Sequence, residues 1–401
     1  MSLRLLLPAA LLLATSAAWG ADPAQLARGH MLVTAGDWAH GVPACRDCHA
    51  ADLGGTPPAI PALTGFPAPV LTALLQGLQK QAPTDAPSRV MHAVSQGLSE
   101  ADIAAVSTYI ATVKPGEAQA DLRPDFDSSY HAAAQSSTAF TPPPLSAIPA
   151  GPEGDVIWQG LEIMTRTRAA AGAYVGDALD CADCHVDQGR RADSSPMWAA
   201  YVTYPKYRAK NHRVDSLSQR IQDCFRYSMN GKPPAADSTE MYALVAYFKW
   251  LATGLPVGLD PKGAGYPKLS QPPQPADRSR GATVYAADCA MCHSDDGAGR
   301  STRGEQVFPP LWGPRSFNWG AGMERVNNAA GFIQANMPYG LGNTLSLQQA
   351  WDVAAFMDSH SRPQDPRFTG NLEETRKLYH PSDSYYGQSV DGQTLGAPGS
   401  H

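Results

Sequence analysis

Cys45-Arg46-Asp47-Cys48-His49, Cys181-Ala182-Asp183-Cys184-His185 and Cys289-Ala290-Met291-Cys292-His293 decide how this chain is read. In a Cys-x-x-Cys-His pentad the two thiols can bond covalently to porphyrin vinyl groups while the adjacent histidine reaches the iron. Random placement of the chain's cysteines and histidines would give roughly 0.003 such pentads, so three are no accident. A zinc or thioredoxin-like use of the Cys-x-x-Cys pairs explains neither the histidine after each pair nor the repetition. Cys45, Cys48, Cys181, Cys184, Cys289 and Cys292 are therefore expected to carry three covalently bound haem c groups, with His49, His185 and His293 as proximal ligands.

Working outward, residues 1–20 read as a secretory signal. Arg4 gives a positive start, Leu5 to Leu13 an apolar core too short to span a bilayer, and Ala18-Trp19-Gly20 a small-x-small cleavage site. Covalent haem attachment takes place outside the bacterial cytoplasm, so signal and motifs agree on a periplasmic protein without stable membrane insertion. A net charge of −6 and a pI near 6.0 leave no nucleic-acid footprint. The 36 glycines and 35 prolines imply much loop, as where backbone wraps a flat cofactor.

The wide spacing of the motifs predicts a mainly α chain with three tandem haem domains of class I cytochrome c type, joined by Pro/Ala-rich linkers. The expected units are 21–115, 155–265 and 277–368. The linkers are 116–154, containing Pro142-Pro143-Pro144, and 266–276; residues 369–401 form a polar tail that wraps the surface or stays mobile. Ser99 should cap the closing helix of the first unit, with Ile103, Val106, Tyr109 and Ile110 on its apolar face. The second unit should close on a helix from Thr239 to Leu251.

A sixth ligand, or an open position, distinguishes electron transfer from chemistry at a haem iron. Met91 precedes the closing helix of the first unit, with His92 as its rival. Met337, held in a loop by Pro338, has the corresponding place in the third. The second unit departs from this pattern. There the run from Asp215 to Gly231 reads as a helix, with Asp215 as N-cap, Gly231 as C-cap, and Leu217, Ile221, Cys224 and Phe225 on one face.

Cys224 is the seventh, unpaired cysteine. It could be a buried structural thiol, leaving Met229 to bind iron, but an unpaired thiol in an oxidising compartment calls for protection or a purpose. Ligation of iron as thiolate supplies both. Arg220, Cys224 and Ser228 are spaced by four residues and share a stripe. Lys206, Arg208, Lys210, Arg213, Arg226 and Lys232 lie nearby, a cluster that would draw in a small dianion. A soft sulfur nucleophile, a redox cofactor and fixed cations together point to an inorganic sulfur oxyanion as substrate.

The stretches Tyr204-Pro205-Lys206-Tyr207-Arg208-Ala209-Lys210-Asn211 and Arg220-Ile221-Gln222-Asp223-Cys224-Phe225-Arg226-Tyr227-Ser228-Met229-Asn230-Gly231 resemble the active-site half of the tetrathionate-forming thiosulfate dehydrogenases. Phe308-Pro309-Pro310-Leu311-Trp312-Gly313, Ser316-Phe317-Asn318, Gly320-Ala321-Gly322-Met323, Ala335-Asn336-Met337-Pro338 and Ala350-Trp351-Asp352-Val353-Ala354-Ala355-Phe356 resemble their second haem domain. By that resemblance His185 and Cys224 would ligate the active-site haem. Arg220, Ser228 and a lysine, Lys210 or Lys232, would bind substrate, while His293 and Met337 would ligate an electron-transfer haem. Two departures stand out. Asn336 replaces a lysine found in some relatives, and the N-terminal unit is an addition similar to a small soluble cytochrome acceptor.

The resemblance implies oxidation of two thiosulfates to tetrathionate, with electrons passed to a small cytochrome c and on to a terminal oxidase. The reverse reaction, tetrathionate reduction, uses the same parts. Two other classes stay open at this point: a passive three-haem electron carrier, and a thiolate-haem cytochrome that loads thiosulfate onto a carrier protein.

Overall fold

The computed structural model describes residues 22–117, 140–209, 211–380 and 383–399. The expected signal at 1–20 and most of the Pro/Ala-rich linker therefore lie outside the described residues. What is described is mainly helical, with two-stranded hairpins in place of a larger sheet.

Three helix pairs repeat along the chain. They are α1 (Pro23–Thr34) with α4 (Glu100–Thr112), α5 (Pro152–Thr165) with α7 (Thr239–Leu251), and α8 (Arg278–Asp288) with α10 (Leu347–Asp358). Between α1 and α4 lie α2 (Ala68–Lys80) and α3 (Ala86–Gln96), between α5 and α7 lies α6 (Leu217–Asp223), and α9 (Val326–Asn336) precedes α10.

One local device makes all three crossings possible. Gly29 of α1 sits against Ala105 O and the Cβ of Tyr109, Gly160 of α5 against Ala243 O and the Cβ of Tyr247, and Gly281 of α8 against Asp352 O and the Cβ of Phe356. A Cβ at any of these glycines would overlap the facing backbone carbonyl, so only a bare Cα lets the helices come this close. In each pair the glycine meets a carbonyl and then an aromatic one turn later, and the same joint has been used three times.

Capping residues fix the ends. Ser99 caps α4 with a reciprocal Asp102 bond, and Ser346 does the same for α10 with Gln349. The closing helix of the second unit, α7, spans the expected residues and is capped by Ser238. Ile103, Val106 and Ile110 of α4 are buried with Leu32 and Val33 of α1. In the second unit Trp198 is fully buried and donates from Nε1 to Arg190 O at 2.8 Å.

Parts of the segments expected as linkers and tail are tied down. Phe140, Leu145 and Ile148 pack on the second core, and Arg190 donates to Pro142 O at 3.2 Å. This end of the proline run therefore belongs to the second unit. Tyr266 and Leu269 of the 266–276 joint pack on the third core, and Trp351 Nε1 donates to Ser270 O at 3.1 Å. The tail forms α11 (Leu372–Tyr379) and a hairpin, and buries Tyr386 and Leu395 against Trp319. Its apolar residues are spaced too widely for a periodicity argument, yet they fill one pocket.

The three units meet. Tyr339 OH donates to Asp47 Oδ2 at 2.9 Å, Trp38 lies edge-on to Tyr339 with ring centroids 5.1 Å apart, and Arg191 stacks on Trp38 at 4.8 Å. Burial, and next the neighbouring Cys292, push the Cys48 thiol well up, so the first and third motifs face each other.

Candidate active site

The three motif histidines share one geometry. His49 Nδ1 lies 2.8 Å from Pro61 O, His185 Nδ1 2.8 Å from Ser195 O, and His293 Nδ1 2.9 Å from Pro309 O. An N–H donated to a carbonyl leaves Nε2 with its lone pair free, the form in which imidazole binds a metal. The six motif cysteines form no disulfides. Around the third motif opens a cavity of about 590 Å³ lined by Cys289, Cys292, His293 and Met337, with Trp38, Asp47 and Cys184 reaching it from the other two units. Paired thiols, a histidine with free Nε2 and a cavity of this size between His293 and Met337 are a donor set that fits haem c.

Met337 follows α9 directly and its N–H bonds Ile333 O at 2.8 Å. Met91 stands on α3, on the side of the helix between the buried Val94 and Ser95. His92, its rival, puts Nδ1 2.6 Å from Leu78 O.

The second unit is different. The expected long helix from Asp215 to Gly231 is a shorter one with a change of pitch. Asp215 ends the hairpin strand β2 (Arg213–Asp215), paired with β1 (Lys206–Arg208), so the N-cap is Ser216, in a reciprocal box with Gln219. The chain is α-helical from Leu217 to Asp223 and then widens into a π turn, Cys224–Ser228. A π turn inside a helix is uncommon and concentrates at functional sites.

Arg220 Nη1 lies 3.0 Å from Cys224 Sγ, and the thiol also faces His185. Burial by itself would push this thiol up. Arg220 first, and then His185 when its second ring nitrogen also carries a proton, outweigh burial and bring Cys224 down to about 7, while the motif thiols Cys181 and Cys184 are pushed up by burial. The thiol in turn raises the pKa of the buried Arg220 guanidinium. Met229, the alternative ligand, is buried in the core beside Phe225, where it packs as an ordinary apolar residue.

Three of the expected cations are already matched by anions. Arg213 pairs with Asp215 at 2.5 Å, Arg226 with Asp223 at 2.9 Å, and Lys206 with Asp260 at 3.2 Å; Asn211 Nδ2 bridges Asp215 and Asp223. Arg208 donates to Tyr204 OH at 2.7 Å. Lys232 is exposed, and its backbone N–H bonds Tyr174 O. Lys210 lies outside the described residues. Among the described cations Arg220 is the one the structure brings to the thiol; Ser228 is half-buried at the far end of the π turn.

Two phenols escaped the reading of the sequence. Tyr204 and Tyr266 lie close enough to Arg220 to act on its charge, and Tyr266 also faces Cys184 and Cys224. Tyr204 stands in a stretch already noted, but Tyr266 sits in a proline-rich joint that carries no periodic signal.

Residues 176–257 match the SoxA/TsdA cytochrome c domain family. Residues 276–357 match the family described as cytochrome c oxidase, cbb3-type, subunit III. A thiosulfate dehydrogenase of Thiomonas intermedia (strain K12) is 51% identical over 270 residues, 67% of this chain and 86% of that protein. The chain belongs to the thiosulfate dehydrogenase family. A solved thiosulfate dehydrogenase (TsdBA) from Marichromatium purpuratum, in its as-isolated form, superposes with a TM-score of 0.84 at 42% identity, covering 93% of this chain and 78% of that one. A thiosulfate dehydrogenase electron acceptor of Thiomonas intermedia is 32% identical over 88 residues, 22% of this chain and 41% of that protein. Family membership makes this chain a c-type cytochrome with covalently bound haem. Among its described residues no helix is long and apolar enough to cross a membrane.

Proposed function

We propose that this protein is a periplasmic three-haem thiosulfate dehydrogenase that couples two thiosulfates to tetrathionate and passes two electrons to an external cytochrome, and through it to a terminal oxidase. The observation that carries the reading is the Cys224 thiol, lowered to about 7 between Arg220 at 3.0 Å and His185. A thiol so placed is about half thiolate at pH 7, a form that binds iron or attacks sulfur.

His49 with Met91, His185 with Cys224, and His293 with Met337 would hold the three irons, and the six motif cysteines would anchor the porphyrins. Bound there, the haems accept single electrons and relay them between units.

The chain's own part is to bind and position. Arg220 holds the sulfonate oxygens of one thiosulfate, assisted by Ser228 and by Lys210 or Lys232. Cys224 Sγ and the terminal sulfur of that thiosulfate join in an S–S bond, giving Cys-S-S-SO₃⁻ and releasing two electrons. The terminal sulfur of a second thiosulfate then attacks the terminal-derived sulfur of the adduct. Tetrathionate departs and the Cys224 thiolate returns with the pair of the broken bond. No proton is consumed or released by the thiolate route. Dividing the coupling this way avoids bringing two free dianions together unaided.

The test is steady-state turnover of holoprotein with thiosulfate and an artificial one-electron acceptor, with tetrathionate quantified, for wild type and Cys224→Met. Tetrathionate from the wild type alone is expected. Equal yields from both would remove Cys224 from the mechanism, and none from either would leave a passive carrier.

A further inference from the structure

The turn that carries Cys224 does not satisfy its own last carbonyls, and the group that does so comes from another unit. At the end of the helix, Met229 N–H bonds Cys224 O at 2.9 Å and Gly231 N–H bonds Phe225 O at 2.8 Å. Arg226 O and Tyr227 O come next in the series of carbonyls that a helix C-terminus leaves open. Both are taken by Asn318. Its Nδ2 donates to Arg226 O at 2.9 Å and to Asn230 Oδ1 at 2.9 Å, and its backbone N–H donates to Tyr227 O at 3.2 Å. Its Oδ1 accepts from Gly320 N–H at 2.9 Å, which fixes which way the amide faces. Asn318 is 0% exposed.

The closeness of the joint is visible at Gly320, where a Cβ would run into the ring of Tyr227. Nearby, Ala178 N–H donates to Arg315 O at 2.9 Å, so the same loop also reaches the segment just before the second motif. A side chain with two donors and one oriented acceptor is required at this point. Aspartate has the shape without the donors and would set a carboxylate against two oxygens; leucine has the bulk without either.

We infer that Asn318 is a positioning residue for the Cys224 nucleophile: by capping, from the C-terminal unit, the turn on which the thiol sits, it holds Cys224 in register with Arg220 and His185. The inference rests on the nucleophilic role of Cys224 proposed above. Arg220 lies upstream, on the α-helical part, and is not held by this cap. Loss of the cap should therefore move the thiol relative to the guanidinium and leave the guanidinium in place.

The experiment uses full-length holoprotein carrying Asn318→Asp, with Asn230→Gly as a second variant. The latter deletes the Oδ1 acceptor at a residue with φ of 43°, a conformation glycine adopts freely. Two readouts are taken: the rate of iodoacetamide alkylation of Cys224 by mass spectrometry, and kcat and KM for thiosulfate. Asn318→Asp should alkylate faster and lose about 10-fold in kcat, with KM moving less than about 2-fold. Asn230→Gly should shift both readouts the same way by a smaller factor.

Wild-type alkylation and kcat in Asn318→Asp would overturn the inference. So would a variant that only melts earlier while Cys224 reacts as before, since that is what a merely structural residue would do. If Asn318→Asp does not fold, Asn230→Gly decides by the same criteria. Alkylation needs no turnover, so it tests the cap even if thiosulfate proves not to be the substrate.

Discussion

The guanidinium of Arg220 lies 3.0 Å from the sulfur of Cys224, one turn earlier on the same helix. This contact opposes the upward push of burial on the thiol and leaves it at about 7. Arg220→Gln should lower kcat/KM for thiosulfate by about 10²-fold, the scale seen when one charge-stabilising donor is removed from an active site. Arg220→Lys should recover only part, because an ammonium lacks the two-pronged donor geometry. Steady-state kinetics with an artificial acceptor measures this, and a Gln variant with wild-type kcat/KM would refute the role.

Tyr339 and Asp47, 292 residues apart in sequence, join the third unit to the first. Tyr339→Phe keeps the ring against Trp38 and removes the hydroxyl. The first unit should then exchange amide hydrogens faster, and reduction of a cytochrome acceptor by thiosulfate should slow severalfold. Reduction of a small artificial acceptor should be unaffected. Unchanged exchange in residues 22–117 would show that the bond contributes nothing to docking.

The glycine crossings make a stability prediction. Gly160→Ala forces a methyl group against Ala243 O and Tyr247, in the overpacking range of about 1–3 kcal/mol. Thermal melting should show a lower midpoint. Gly172→Ala, at a glycine with open space around it, is the control and should melt close to wild type.

His380 gives the pH dependence. It is buried, stacked on Tyr386 with centroids 3.9 Å apart, and lies 3.1 Å from Asp365 and 3.5 Å from Glu324. Burial would lower its pKa, but the carboxylates outweigh burial and raise it. Asp365 moves the other way: burial would raise it, but His380 and Arg367 hold it below the usual carboxylate range. A raised histidine contributes its full stabilisation below its unfolded pKa and loses it as pH climbs through the folded value. The lowered Asp365 contributes above its unfolded pKa and loses that as pH falls through its own folded value. In the window that opens at the ordinary histidine pKa and runs upward, the thermal midpoint should therefore fall in the wild type as pH rises, and His380→Asn should flatten that slope. Equal slopes would show that the pair does not titrate in this window.

Much of this architecture was legible in the sequence because covalent chemistry and capping leave local marks. The pentads named the cofactor, Ser99 announced α4, and the limits of α7 were readable from its apolar period. The i, i+4 stripe brought Arg220 to Cys224 because a helical turn is local information. What the sequence hid is non-local or breaks a period. Nothing in the order of residues announces that the helix widens at Cys224, or that Asp215 ends a strand while Ser216 caps. The neutralisation of Arg213 and Arg226 depends on carboxylates whose positions only the hairpin and helix together define. The repeated glycines were visible as letters, but their meaning lay in helices about 70 to 80 residues away.

The cap on Arg226 and Tyr227 bears on how this protein can be taken apart. A fragment ending before the third motif would keep His185, Cys224 and Arg220, and by composition would look like a complete catalytic unit. It would have lost the side chain that finishes the helix under its nucleophile. Expressed alone, such a fragment is expected to bind haem and colour the solution, yet to react like an ordinary exposed thiol protein. The boundary drawn by the motifs and the boundary of the working centre are not the same line.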